Sequence, residues 1–188
     1  MERYVIPREG NEMDKRKQAN ARVKMAITNA LFELLTKKSI AEVTITEIIQ
    51  KAEVARASFY RNYQSKEDVM VTLVRDILER YRKTADYDLS VYYSYQNVSR
   101  AFAYFQEYKQ YVLNIYDSGF GTMLLEELNQ FHESIAGTMP ARSLEKYDLY
   151  LFIGALYNTA IVWLKEERPA SIEDISNILL RRTNHVTA

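Results

Sequence analysis

Apolar residues recur along this chain at intervals of three and four, with no sustained alternation, so the pattern predicts helices almost throughout. Val23, Ile27, Ala30, Leu31, Leu34 and Leu35 mark one face of a first helix expected from Asp14 to about Lys38. Lys37 and Lys38 are placed in its last turn, where cations suit the negative end of the helix dipole. Thr44 and Glu47 then stand three apart, the spacing of a reciprocal capping box, and Ile45, Ile48, Ile49 and Ala52 follow at helical spacing. Val54 breaks the pattern. Ala57, Ser58, Phe59, Tyr60 and Tyr63 begin another short helix, so a helix–turn–helix is expected. Ser65 with Asp68 opens a fourth helix to Thr84, with Val69, Leu73, Ile77 and Tyr81 on one stripe and Arg75, Arg80, Arg82 and Lys83 toward its solvent side or end.

Beyond a polar break at 86–90, five more helices are expected, with breaks near Lys109, Gly119 to Gly121, Gly137 to Pro140, and Arg168 to Pro169. From Ser143 to Glu167 the apolar residues spread around the whole helix, which demands burial on nearly all sides. Ser171 caps a last helix, with Glu173 and Asp174 in its first turn and Ile172, Ile175, Ile178 and Leu179 as its stripe. A chain of 22 kDa can hardly bury the Ser143 helix alone. Pairing the last two helices (about 143–183) with their symmetry mates gives a homodimer.

The fold class is therefore all-α: an N-terminal three-helix helix–turn–helix domain plus an α-helical C-terminal domain for dimerisation, to which the resemblance named below adds ligand binding. The boundaries read as a flexible tail at 1–13, the helix–turn–helix domain at 14–64, a linking helix at 65–84, and the C-terminal domain at 85–188. With 5 Gly and 3 Pro, a turn-rich all-β fold is disfavoured. The absence of Cys removes disulfides, thiol catalysis and thiolate metal sites. No apolar run is read as a membrane span and no signal peptide is recognised, which points to the cytoplasm.

The formal net charge of zero conceals a division. Residues 1–83 carry 17 Lys and Arg against 12 Asp and Glu, whereas residues 84–188 carry 8 against 13. The basic half holds the helix–turn–helix, as expected if that end meets a polyanion.

The order of long first helix, T-x-x-x-I, a turn ending in Val54, then Ser58, Phe59, Tyr60, Tyr63, Ser65, Lys66 and Glu67 resembles the N-terminal domain of the TetR (TetR/AcrR) family of transcriptional regulators, over residues 20 to 83. The resemblance implies a dimer whose second short helix enters the major groove of a double-stranded operator and whose C-terminal domain holds a small-molecule effector. It also implies that Tyr60 binds phosphate, that Phe59 and Tyr63 pack inward, and that Thr44, Thr46 and Lys66 grip phosphates. Chemistry adds Arg56, whose guanidinium can fork onto guanine or hold a phosphate. Ala57 suits a thymine methyl, Ser58 a base or phosphate, and Arg61 and Asn62 occupy outward faces. Lys15, Arg16 and Lys17 form a solvated charge run or an arm toward DNA. Two positions depart from the family pattern: Glu53 stands where Gly is usual in the turn, and Ala55 where a small polar residue usually precedes the recognition helix.

In the second half the feature is aromatic density. Tyr104, Phe105, Tyr108, Tyr111, Tyr116, Tyr150 and Tyr157 are the candidate lining of a ligand pocket, with Glu107, Asp117 and Glu127 near enough to suggest a lipophilic cation. Neither metal nor cofactor is implied. His132 and His185 are isolated, and no nucleophile motif or phosphate-cradling Gly loop occurs, so the chain is read as no enzyme. The function expected is a ligand-responsive repressor. Alternatives are an activator or co-regulator whose C-terminal domain binds a protein, and a helical ligand carrier or adaptor without DNA binding.

Overall fold

A computed structural model describes residues 15–85, 88–137, 143–167 and 169–183, with side chains up to 181. The tail expected over 1–13, the break at Pro140, Arg168, and His185 lie outside the described residues. Within them every regular element is helical: α1 (Lys15–Leu35), α2 (Ile45–Lys51), α3 (Arg56–Asn62), α4 (Lys66–Thr84), α5 (Tyr95–Glu107), α6 (Lys109–Ile115), α7 (Gly121–Ala136), α8 (Leu144–Lys165) and α9 (Ile172–Thr183). Two compact units meet along the chain between Leu73 and Val74, inside α4.

The first unit packs α1, α2, α3 and the start of α4 around Ile27, Leu31, Ile48, Phe59, Tyr63, Val69 and Met70, all of which are buried. α1 stops at Leu35, three residues short of the expected end. The Thr36 hydroxyl donates to the Glu33 carbonyl at 2.8 Å, and the Lys37 amide turns to Leu34, so the last turn tightens and closes. Lys37 and Lys38 therefore fall outside the helix, and Lys38 instead pairs with Glu47 of α2. At the other end α1 already includes Lys15, Arg16 and Lys17, which are exposed in its first turn.

In the second unit α8 is the central helix, burying Leu149, Phe152, Ile153, Leu156, Ala160, Ile161 and Leu164. Phe102 of α5 meets Trp163 of α8 edge to face at 5.6 Å, and the Trp163 Nε1–H donates to the Ala170 carbonyl at 2.8 Å, fixing the turn into α9. With 22 residues α8 does reach the length and apolarity that could cross a membrane, contrary to the sequence reading, but half of its apolar window is buried inside the protein. It serves as a core helix here. Its burial is not complete: Leu144, Tyr147, Leu151 and Val162 are 84, 61, 59 and 61% exposed, and their spacing puts them on one face.

The break expected at Gly119 to Gly121 is a π turn over Tyr116–Phe120 joining α6 to α7, with Gly119 at φ 86°. That left-handed conformation suits a residue without a Cβ.

Candidate functional site

The α2–α3 turn is the first candidate site. Thr44 caps α2: its hydroxyl accepts from the Glu47 amide at 3.2 Å and donates to Glu47 Oε2 at 2.8 Å, while the Thr44 amide donates to the same oxygen at 2.9 Å. The Lys38 ammonium and this cap hold the Glu47 carboxyl down to about 2. Thr46 is exposed in the first turn of α2.

Glu53 closes the turn at φ 54°, the left-handed geometry that the missing Gly would take without strain. Ala55 is the N-cap of α3 and offers no side-chain hydrogen bond to the helix amides. Both departures from the family pattern thus have the structural meaning read from the sequence.

On α3, Phe59 and Tyr63 are buried while Arg56, Ala57, Tyr60 and Arg61 are exposed. Arg56 and Tyr60 lie one turn apart: Arg56 Nη2 donates to the Tyr60 hydroxyl at 3.2 Å, and the guanidinium carbon sits 5.3 Å from the Tyr60 ring centroid. Ser58 is half-buried, and Asn62 folds its Nδ2 back onto the Ser58 carbonyl at 2.9 Å. Lys66 corrects its expected role. Its ammonium donates to the carbonyls of Ile40, Ala41 and Val43 at 2.6, 3.2 and 2.7 Å, which uses all three N–H groups on the chain itself. It braces the α1–α2 connection instead of reaching outward.

Within the second unit an apolar cavity of about 70 Å³ is walled by Val74, Ile77, Leu78 and Tyr81 of α4, by α5 and α6, and by Leu124, Leu128, Phe131 and His132 of α7. Tyr104, Phe105, Tyr108 and Tyr111 line it, as proposed from the sequence. Tyr116, Tyr150 and Tyr157 do not. Tyr116 is exposed, with the Lys165 ammonium 4.3 Å from its ring centroid. Tyr150 donates to Glu133 at 2.7 Å at the surface. Tyr157 donates to the Gly121 carbonyl at 2.8 Å, and burial pushes its phenol up to about 12. The acids do not form a cation site either: Glu107 and Asp117 are exposed, Asp117 pairs with Lys165 at 2.8 Å, and Glu127 is engaged by Arg75. Sequence reasoning missed the α4 wall and His132; the stripe of Ile77 and Tyr81 was legible, but not the cavity it faces.

Residues 27–73 match the family model described as bacterial regulatory proteins, tetR family. That segment, the helix–turn–helix unit with the start of α4, is similar to the DNA-binding domain of the tetR family. An uncharacterized HTH-type transcriptional regulator, YxbF of Bacillus subtilis (strain 168), is 28% identical over 159 residues, which is 80% of this chain. The chain spans 42% of the length of that relative. Among solved structures, a TetR transcriptional regulator from Streptococcus agalactiae 2603V aligns with a TM-score of 0.61 at 19% identity, covering 89% of this chain and 97% of its own. One from Rhodococcus sp. RHA1 aligns at 0.54 and 18%, covering 91% and 99%. These two share the TetR fold with this protein.

Proposed function

We propose that the chain acts as a ligand-responsive repressor, binding a palindromic operator as a homodimer with α3 of each copy in the major groove. The observation that carries this reading is the exposed face of α3. Arg56, Ala57, Tyr60 and Arg61 present two guanidiniums, a phenol and a methyl on a helix whose opposite face is anchored by Phe59 and Tyr63. Arg56 is assigned to a base edge or phosphate, Tyr60 and Thr46 to phosphates, and Ser58, Arg61 and Asn62 to the groove wall. Thr44 contributes chiefly by capping α2.

The second copy docks on the stripe of Leu144, Tyr147, Leu151 and Val162, together with Ile178 of α9, which is 53% exposed. Apolar groups that large, aligned on one face, favour removal from water. Response to an effector is assigned to the cavity walled by α4. A molecule entering a space of about 70 Å³ must press its walls apart, and α4 is one continuous helix from Lys66 to Thr84. Displacing it alters how α3 is presented to DNA.

Selection of bound fragments from random double-stranded DNA with purified protein tests the reading. A palindromic consensus, bound with affinity that falls steeply as salt rises, is the expected result. Enrichment of no sequence, or salt-independent binding, overturns it, and a reporter strain carrying the consensus gives the sign of regulation.

A further inference from the structure

The cavity behind α4 adjoins a second, smaller space of about 10 Å³, and His132 lines both. Among the described residues neither wall contains a Lys, Arg, Asp or Glu, so an anion or a cation entering would lose hydration without gaining a counter-charge from them. What polarity remains is directional. His132 Nδ1 lies 2.8 Å from the Leu128 carbonyl, an acceptor, so Nδ1 carries the proton. In the neutral imidazole Nε2 is then an acceptor, and burial lowers the His132 pKa, favouring that neutral form.

The smaller space is also lined by Asn97, which is 5% exposed. Its Nδ2 donates to the carbonyls of Asp88 and Val91 at 2.9 and 2.7 Å, which fixes the orientation of the amide, because a flipped Oδ1 would face two acceptors. Among the described residues Oδ1 has no partner. Along the wall the Tyr92 and Tyr104 hydroxyls already donate, to Asp148 and to the Ile77 carbonyl, and His132 and Asn97 both offer lone pairs.

We infer that the ligand of this cavity is a small, neutral, mainly apolar molecule bearing a hydrogen-bond donor, a hydroxyl above all, which it directs to His132 and the Asn97 side. Carboxylates and ammonium compounds are excluded by the same walls. The inference rests on the effector reading above and names the chemistry that reading leaves open. A cavity of about 150 Å³ accepts benzene, so a single ring already requires this one to widen.

Calorimetry on the full chain, with no DNA present, tests this with four ring compounds of similar size: phenol, toluene, benzoate and benzylammonium. Phenol is expected to bind at least tenfold tighter than toluene, with no measurable heat from the two ions. His132→Phe should abolish the preference for phenol over toluene while still binding toluene. His132→Gln, which restores an acceptor, should recover part of the preference and guards against a folding defect in the first variant. Tighter binding of benzoate or benzylammonium, equal binding of phenol and toluene, an undiminished preference in His132→Phe, or binding of none of the four overturns the inference. Phenol binding of the expected kind without release of operator DNA would leave the inference standing and overturn the ligand-responsive reading instead.

Discussion

Arg75 forks onto Glu127: its Nε and Nη2 lie 2.7 and 2.8 Å from the two carboxylate oxygens, joining α4 to α7. The two ends of the pair differ. The Glu127 side chain is 8% exposed and the Arg75 side chain 60%, so a buried carboxylate relies on a guanidinium that reaches it from the surface. Removing Arg75 strands the carboxylate, whereas removing both ends leaves apolar groups that pack.

Arg75→Met should therefore lower stability by about 2 kcal/mol, less than for a fully buried pair because the guanidinium is solvated. The double variant Arg75→Met, Glu127→Leu should recover most of that loss. Urea unfolding of the single and double variants measures both, and equal loss in the two would refute the account.

Acid should act on the first unit through Glu47. With its carboxyl held at about 2 in the folded chain against an ordinary 4.5, the unfolded chain binds the proton first as pH falls. The stabilisation is complete above about 4.5 and is lost as pH falls toward 2. Glu47→Gln should show a flatter decline of stability over that window, read from thermal midpoints at successive pH values.

The α2–α3 turn holds two correctable costs. Glu53→Gly relieves a left-handed residue and should raise stability by about 0.5 to 1 kcal/mol, the entropy cost of Gly offsetting part of the gain. Ala55→Ser supplies the absent cap of α3 and should add about 1 kcal/mol. Denaturant midpoints check each; a fall in either would contradict the geometry described for the turn.

On operator DNA, Arg56→Ala should weaken binding by about 1 to 3 kcal/mol. If the guanidinium reads a base, the variant relaxes preference at one operator position; if it holds phosphate, the slope of affinity against salt drops by about one. Tyr60→Phe keeps the ring beneath Arg56 but removes its hydroxyl, and should weaken binding without altering the preferred sequence. Titrations at several salt concentrations separate these outcomes.

Gly121 is required by Tyr157. A Cβ at 121 would lie 2.9 Å from the Tyr157 hydroxyl and 3.1 Å from the Tyr116 ring. Gly121→Ala should cost about 1 to 3 kcal/mol by overpacking, measurable as a lowered melting temperature, even though Ala favours a helix more than Gly does.

The helices and the two turns of the head were legible because each rests on local signals: the Thr44–Glu47 box, the stripe of α1, and the Ser65–Asp68 start. The strain at Glu53 and the open cap at Ala55 could be read too, since backbone geometry at a turn depends on few neighbours. The cavity was harder. A helix such as α8, apolar around most of its circumference, gives no indication of which Tyr faces inward, so Tyr150 and Tyr157 read alike although one meets Glu133 at the surface and the other is buried and donates to the Gly121 carbonyl. Lys66 failed for a related reason: the carbonyls that bind it lie 23 to 26 residues away in sequence, and only folding brings them together.

That arrangement makes Lys66 a reporter. An ammonium held by three carbonyls is a poor nucleophile, since it must break away from them before it can attack an acylating reagent. Exposed amines such as Lys15 and Lys17 carry no such restraint. The rate at which Lys66 is acylated, relative to theirs, therefore follows the opening of the helix–turn–helix unit itself, and any condition that tightens or loosens that unit is recorded at a single side chain.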